Sequence, residues 1–247
     1  MTVRHEFQNA LNALAEGGMT GILTDAYIQA REEDKALIEE HLIKGIKTCE
    51  KAILRLDITS LLERKGLNDR IFIEALRACG NIGDVKAIAE FNEKEEELSD
   101  PVRRQIDESF KTALRVCEQR IIGGAIADII NARELRNKYS KLSNDLMTMA
   151  RKSVDKIMIG LGKLNHMELA RRRTIKEIDT ADATDLREKR ENAREAEKVV
   201  FAYLEQRTAT RLAGDGVTSD GAGVMRPNDI PTKRVGLVTR AKRALFG

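Results

Sequence analysis

Residues 135–164 read LRNKYSKLSNDLMTMARKSVDKIMIGLGKL. Apolar side chains fall at Leu135, Tyr139, Leu142, Leu146 and Met149, in steps of four, three, four and three. That alternation is the heptad seam of helices lying side by side. A second run, Ala150, Val154, Ile157, Leu161 and Leu164, follows one position out of register. The displacement marks where one seam gives way to another as a new neighbouring helix takes over.

The same helical character extends in both directions. Ser99-Asp100-Pro101 is a strong helix start, with proline in the first turn. No further proline occurs before Leu212, and the glycines inside are Gly123, Gly124, Gly160 and Gly162. A globular helix usually runs about 8–20 residues. A longer stretch rich in Lys, Arg, Glu, Leu and Ala predicts extended helices that need partners along their length. After Leu169 the apolar points thin out to Ile175, Ile178, Leu186, Val199, Val200, Tyr203 and Leu204. Residues 180–185 hold the only capping side chains in this half. A hairpin turn there would fold a 186–212 helix back on its predecessor.

The N-terminal part reads as shorter helices. Residues 2–16 carry Phe7, Leu11 and Leu14 on one face and stop at Gly17-Gly18. Thr24 or Asp25 can cap a helix from Ala26 to about Leu56, with Gly45 as a point where it could break. A short helix over 60–65 precedes Gly66, and Asn68 or Asp69 caps one through Cys79. After the turn at 80–84, Asp84 caps a helix to about Leu98, so the last two form a helical hairpin. The sequence thus predicts an all-α protein in three parts. They are a helical cluster (1–98), a long helical, coiled-coil-like region (101–212), and a flexible linker with a basic C-terminal arm (213–247).

Composition supports helix-on-helix packing. Charged residues are 34% of the chain and aromatics only 4%, with no Trp. Few aromatics disfavour a small-molecule pocket. Cys49, Cys79 and Cys117 lie far apart with no CxxC pair, which favours a reducing compartment and buried thiols. The longest apolar run, Ile121 to Ile130, is interrupted by Asp128 and is too short to span a bilayer. The expected location is cytoplasmic, or within a particle assembled in a cytoplasm.

Catalytic and cofactor signatures are missing from the sequence. His5, His41 and His166 form no metal-binding spacing. Gly160-Leu161-Gly162 lacks the strand and third glycine of a dinucleotide loop and reads as a close helix–helix contact or a kink. Arg171-Arg172-Arg173 beside Lys176 can hold phosphate, but flanking Glu168, Glu177 and Asp179 make it read as a solvated face. No enzyme, metal or cofactor is expected.

Charge is concentrated at the end. Arg226, Lys233, Arg234, Arg240, Lys242 and Arg243 face only Asp229 from Met225 onward, so this arm carries +5 and the first 224 residues about −2. Leu237, Leu245 and Phe246 add a small apolar tip. A glycine-rich tether followed by a basic segment is an interaction arm by composition. The expected function is a non-enzymatic structural protein that forms homo-oligomers through the seam and the arm, such as a viral or phage assembly or virion component. Its partners would be further copies and other assembly subunits. The alternatives are a nucleic-acid-binding protein using the arm and a peripheral membrane-remodelling polymer that touches anionic membrane.

Overall fold

A computed structural model of the chain describes residues 3–95, 97–131, 138–164 and 180–214. Among these residues it contains ten helices and no strand. They are α1 (Val3–Glu16), α2 (Thr20–Gln29), α3 (Glu32–Lys51), α4 (Arg55–Leu62), α5 (Asp69–Ile82), α6 (Val85–Lys94), α7 (Asp100–Arg120), α8 (Gly124–Ile130), α9 (Asn144–Gly162) and α10 (Thr180–Gly214). The chain divides into two units at Thr208–Ala209, and the first holds the core. Of the second, the structure describes residues 209–214.

Local chemistry sets many boundaries. The side chains of Asn68, Asp84, Ser99 and Ser143 accept hydrogen bonds from the amides of Ile71, Ala87, Val102 and Leu146. Each satisfies one of the amides left open at a helix start. Gly83 ends α5 at φ 79°, a left-handed residue, while the Asp84 amide bonds back to the Cys79 carbonyl. Helix α3 begins with Glu32, Glu33 and Asp34, three carboxylates at its positive end.

The expected long helix from 26 to 56 is instead broken twice, between α2 and α3, where Ala30 is extended, and between α3 and α4, where Ile53 adopts φ 53°. Gly45 does not break α3. Its missing side chain makes room for Leu23 Cδ1, 3.3 Å from where a Cβ would stand, and Thr20 Cγ2 at 3.5 Å. The described residues between 100 and 212 fall into the separate helices α7, α8, α9 and α10, with breaks after Arg120 and Ile130. Helix α7 stops at Ile121, which adopts φ 52°, and the Ile122 amide bonds to the Cys117 carbonyl at 2.9 Å. A β-branched residue in this conformation is strained by roughly 1–2 kcal/mol. Its packing compensates: the Ile121 side chain lies against Gly160 of α9, where an added Cβ would stand 3.3 Å from Cδ1. Of the two roles the sequence allows Gly160, the close contact is the one seen, against the end of α7, and α9 continues through it to Gly162.

One continuous hydrophobic core joins residues from Phe7 to Leu204. Helices α5 and α7 form its centre, with Leu76, Cys79, Phe110 and Cys117 fully or almost fully buried. They approach so closely at Gly80 that an added Cβ would meet Ser109 O at 3.0 Å and Ser109 Cα at 3.1 Å. Helices α3 and α4 pack on α5, and α6 and α9 on α7.

Gly80→Ala should destabilise the protein by about 2 kcal/mol, because backbone atoms of α7 cannot yield as a side chain can. Gly21→Ala should stabilise it by about 0.5 kcal/mol, since nothing lies within 4 Å of the added Cβ in α2. Urea midpoints moving in opposite directions for the two variants would confirm this reading; equal midpoints would refute the close contact.

Candidate assembly surfaces

The seam residues are distributed between interior and surface. Tyr139, Leu142, Leu146 and Ile157 are buried in the chain's own core, and Val154 and Leu161 pack partly against it. Met149 is 36% exposed. The buried line on α9 runs through Leu146, Ala150, Ser153 and Ile157 and faces α7 and α8. Leu164 is half-buried, and Leu135 lies outside the described residues.

Polar bonds fix the register of α9 on α7. Ser153 Oγ donates to Glu118 Oε1 at 2.5 Å, and Lys156 Nζ donates to Oε2 at 3.0 Å. Burial pulls the Glu118 carboxyl up, but these two donors outweigh it and hold the group below its usual range. At the loop before α9, Glu93 accepts from the Ser140 hydroxyl at 2.7 Å and the Lys141 amide at 3.0 Å.

Helix α10 lies along the N-terminal helices, held by small residues and arginines. Ala193, Ala196, Val200 and Leu204 are buried. Gly17 lets the helix come close: a Cβ there would stand 3.4 Å from Ala193 Cβ. Tyr203 stacks on Phe7 with ring centroids 4.0 Å apart. Arg190 donates to the Gly17 carbonyl at 3.0 Å and to Asp57 at 2.8 Å. Arg207 pairs with Glu33 and, at 3.5 Å, with Asp34, which is only 5% exposed. Burial, then Asp34, pushes the Tyr203 hydroxyl pKa up. Leu186, Val200, Tyr203 and Leu204 are apparent as apolar points in the sequence, whereas Ala193, Arg190 and Arg207 are not. For Ala193 and Arg207 the available signal was the seven-residue recurrence Leu186, Ala193, Val200 and Arg207; Arg190 has none.

Large apolar side chains also stand in solvent. Leu56 at the start of α4 is 84% exposed, and Met158 and Ile159 near the end of α9 are 60% and 61% exposed. Two concave features flank the helices. A groove of about 280 Å³ between α4 and α6 has an apolar floor of Leu62, Ala87 and Phe91. A cleft of about 530 Å³ lies where the end of α6 meets the starts of α7 and α9. Arg103, Arg104 and Lys141 line that cleft, but Glu95 and Asp107 share its walls and offset most of their charge. The arm residues Arg226, Lys233, Arg234, Leu237, Arg240, Lys242, Arg243, Leu245 and Phe246 lie outside the described residues, as do Arg171 to Arg173.

Among the described residues no group of three or more His, Cys, Asp or Glu side chains could hold a metal ion. His41 uses Nδ1 on the Leu37 carbonyl of its own helix, at 2.8 Å. Burial pushes the Cys49 thiol up to about 12 and the Cys117 thiol to about 11, and raises Cys79 as well. A protonated, enclosed thiol is a poor nucleophile. No described helix is long and apolar enough to cross a membrane.

A thiol-reactive dye at pH 8 should therefore label none of the three cysteines in the folded protein and all three in denaturant. Because the folded pKa values are raised, the thiols' burial is free of ionisation cost below about pH 9, the ordinary thiol value. Stability should then fall as pH rises from there through about 11–12. Rapid labelling of the native protein would show that the core opens. No protein-family model matches this chain, and no curated protein or solved structure does either, so its function must be read from its own residues.

Proposed function

We propose that the protein is a non-enzymatic assembly component that forms homo-oligomers. The observation that supports this best is the exposure of large apolar side chains, Leu56 on α4 and the consecutive pair Met158 and Ile159 on α9. Single exposed apolar residues are ordinary, but adjacent large ones are what self-association would cover. The basic arm adds a second means of association, because +5 of charge on a tether steers encounters with acidic surfaces. A charged, helical chain with 4% aromatics and a basic terminal arm suits a viral or phage particle component, which is the finer form of the proposal.

Light scattering across a range of concentrations tests it. Oligomers growing with micromolar protein are expected, and a strict monomer would refute the proposal. Removing residues 225–247 should leave the helical circular dichroism signal unchanged and weaken association severalfold, since the tether uncouples the arm from folding. Changing Leu245 and Phe246 to Ser should weaken association more than neutralising one arginine, because exposed charges contribute little in salt. The arm's six cations also favour a second reading, nucleic-acid binding. DNA or RNA affinity that falls steeply between two salt concentrations, and disappears with the arm, would establish it.

A further inference from the structure

We infer that two copies of this chain pack through α9, its outer face in one copy lying antiparallel against the same face in the other. The inference rests on the homo-oligomer reading and names one contact that carries it.

The helices up to α9 form an array of repeated hairpins. The pairs α1–α2, α3–α4, α5–α6 and α7–α8 share one turn. A left-handed residue, Gly18, Ile53, Gly83 or Ile121, ends the first helix of each pair. The next amide, of Met19, Leu54, Asp84 or Ile122, bonds to the carbonyl five residues before it at 2.8–2.9 Å. Alternate hairpins also match in sequence: Cys49, Glu50, Ile53 and Ile58 recur 68 positions on as Cys117, Glu118, Ile121 and Ile126. Their contacts recur with them. The Cys49 thiol donates to the Gly18 carbonyl and the Cys117 thiol to the Gly83 carbonyl, both at 3.2 Å. Glu50 accepts from Asn81 on α5, and Glu118 accepts from Lys156 on α9. The long helices α1, α3, α5, α7 and α9 thus stack in order, each on the next. Repeats of this kind bury apolar surface only against their neighbours, so both ends of the stack need a cover.

The α9 end is open. Helix α9 takes the place that α5 has one repeat earlier. Its buried Leu146, Ala150, Ser153 and Ile157 correspond to the buried Ile71, Ala75, Ala78 and Ile82. The next side of α5 is covered by α7, which approaches Gly80 through Ser109 and Gly83 through Val116, at 3.0 and 3.1 Å from where a Cβ would stand. The same two positions on α9 are Asp155 and Met158, with Ile159 beside them. Met158 and Ile159 are 60% and 61% exposed.

The α1 end is covered. Ala15 faces Gly45 of α3, with its Cα 3.7 Å from where a Cβ would stand there. Gly17, about 200° further round α1, meets Ala193 of α10 instead. The outer side of α10 carries Arg187, Glu188, Glu191, Glu195 and Lys198, all exposed, which is the polar surface of a terminal cover. A second copy extending the stack is therefore led to the α9 end. Two such ends are like surfaces, and they meet about a two-fold axis.

Charge selects the antiparallel arrangement. Lys156 is already bonded to Glu118, and Lys152 lies toward the edge of the open side. Arg151 and Asp155 lie on it, four residues apart, and among the described residues neither forms an ion pair. With the helices antiparallel, Arg151 of each copy meets Asp155 of the other, giving two opposite-sign pairs. A parallel pairing would set Arg151 beside Arg151. The same register lays Met158 and Ile159 over Thr148 and Met147 of the other copy. One helix face is smaller than the roughly 1,600 Å² of a standard interface, so this contact is weak by itself.

The test uses full-length Arg151→Asp and Asp155→Arg variants in sedimentation velocity. Each alone carries like charges on the contact and should associate about tenfold more weakly than the parent chain. An equimolar mixture should regain the parent's association as heterodimers. Met158→Ser with Ile159→Asp should weaken association about tenfold as well, whereas Leu56→Asp should not. All these side chains are exposed, so unchanged circular dichroism will show that folding is intact. If the parent associates and none of the α9 variants changes this, the docking inference is overturned while the homo-oligomer reading survives. If the α9 variants weaken association but mixing the two charge variants restores nothing, the open face meets some other surface, and the two-fold contact is overturned. A strict monomer of the parent chain at every concentration would overturn both readings.

Discussion

The close passage of α5 over α7 at Gly80 governs the rest of this molecule. With an added Cβ only 3.0 Å from the Ser109 carbonyl, there is no room for a side chain, so the two backbones touch. That distance brings Leu76, Cys79, Phe110 and Cys117 into one dense layer. Close packing of this kind tolerates neither cavities nor insertions without loss of stability. The other helices then attach to one or the other of this pair, α3 and α4 to α5, and α6 and α9 to α7.

Around this centre, polar bonds act as register marks rather than as a large source of stability. Glu118 takes two donors from α9, Glu93 two from the loop before it, and Arg190 and Arg207 fasten α10 across the N-terminal helices. Exposed ion pairs are individually weak. Their geometry matters because helices that present leucine, isoleucine and alanine can slide by a turn with little change in buried area. A carboxylate that must meet particular donors removes that freedom. Asp34, nearly enclosed beside Arg207 and Tyr203, does the same for α10 at higher stakes, because an unpaired buried charge is costly.

The outer surface has a different character from this interior. Side chains that the core could have used, Leu56, Met158 and Ile159, stand in water instead. They occupy turns of α4 and α9 whose opposite faces are already committed, with Leu61 and Leu62 inward on α4 and Ile157 inward on α9. A helix that is apolar on both sides can be buried on one by its own fold and on the other by a partner. That is the physical basis for reading the protein as a component of something larger.

Much of this was legible from residues alone. The all-helical class follows from composition and apolar spacing, and Asn68, Asp84 and Ser99 announce their helices because an N-cap is a bond between neighbours in sequence. The heptad from Leu135 onward showed that α9 must meet another helix, but not which one. That partner, α7, starts 35 residues upstream of the seam, and no local pattern specifies a contact at that range. The breaks at Ala30 and Ile121 were invisible for the same reason. Ile121 has no intrinsic preference for its left-handed conformation and is held there by packing against Gly160, far along the chain. Exposure is decided last of all. Whether Met149, Met158 or Ala150 faces the core depends on where α7 and α8 come to rest. The sequence by itself therefore determined the helices and their capped starts, which are local bonds. Only tertiary packing decided where the helices break and which apolar side chains are left exposed.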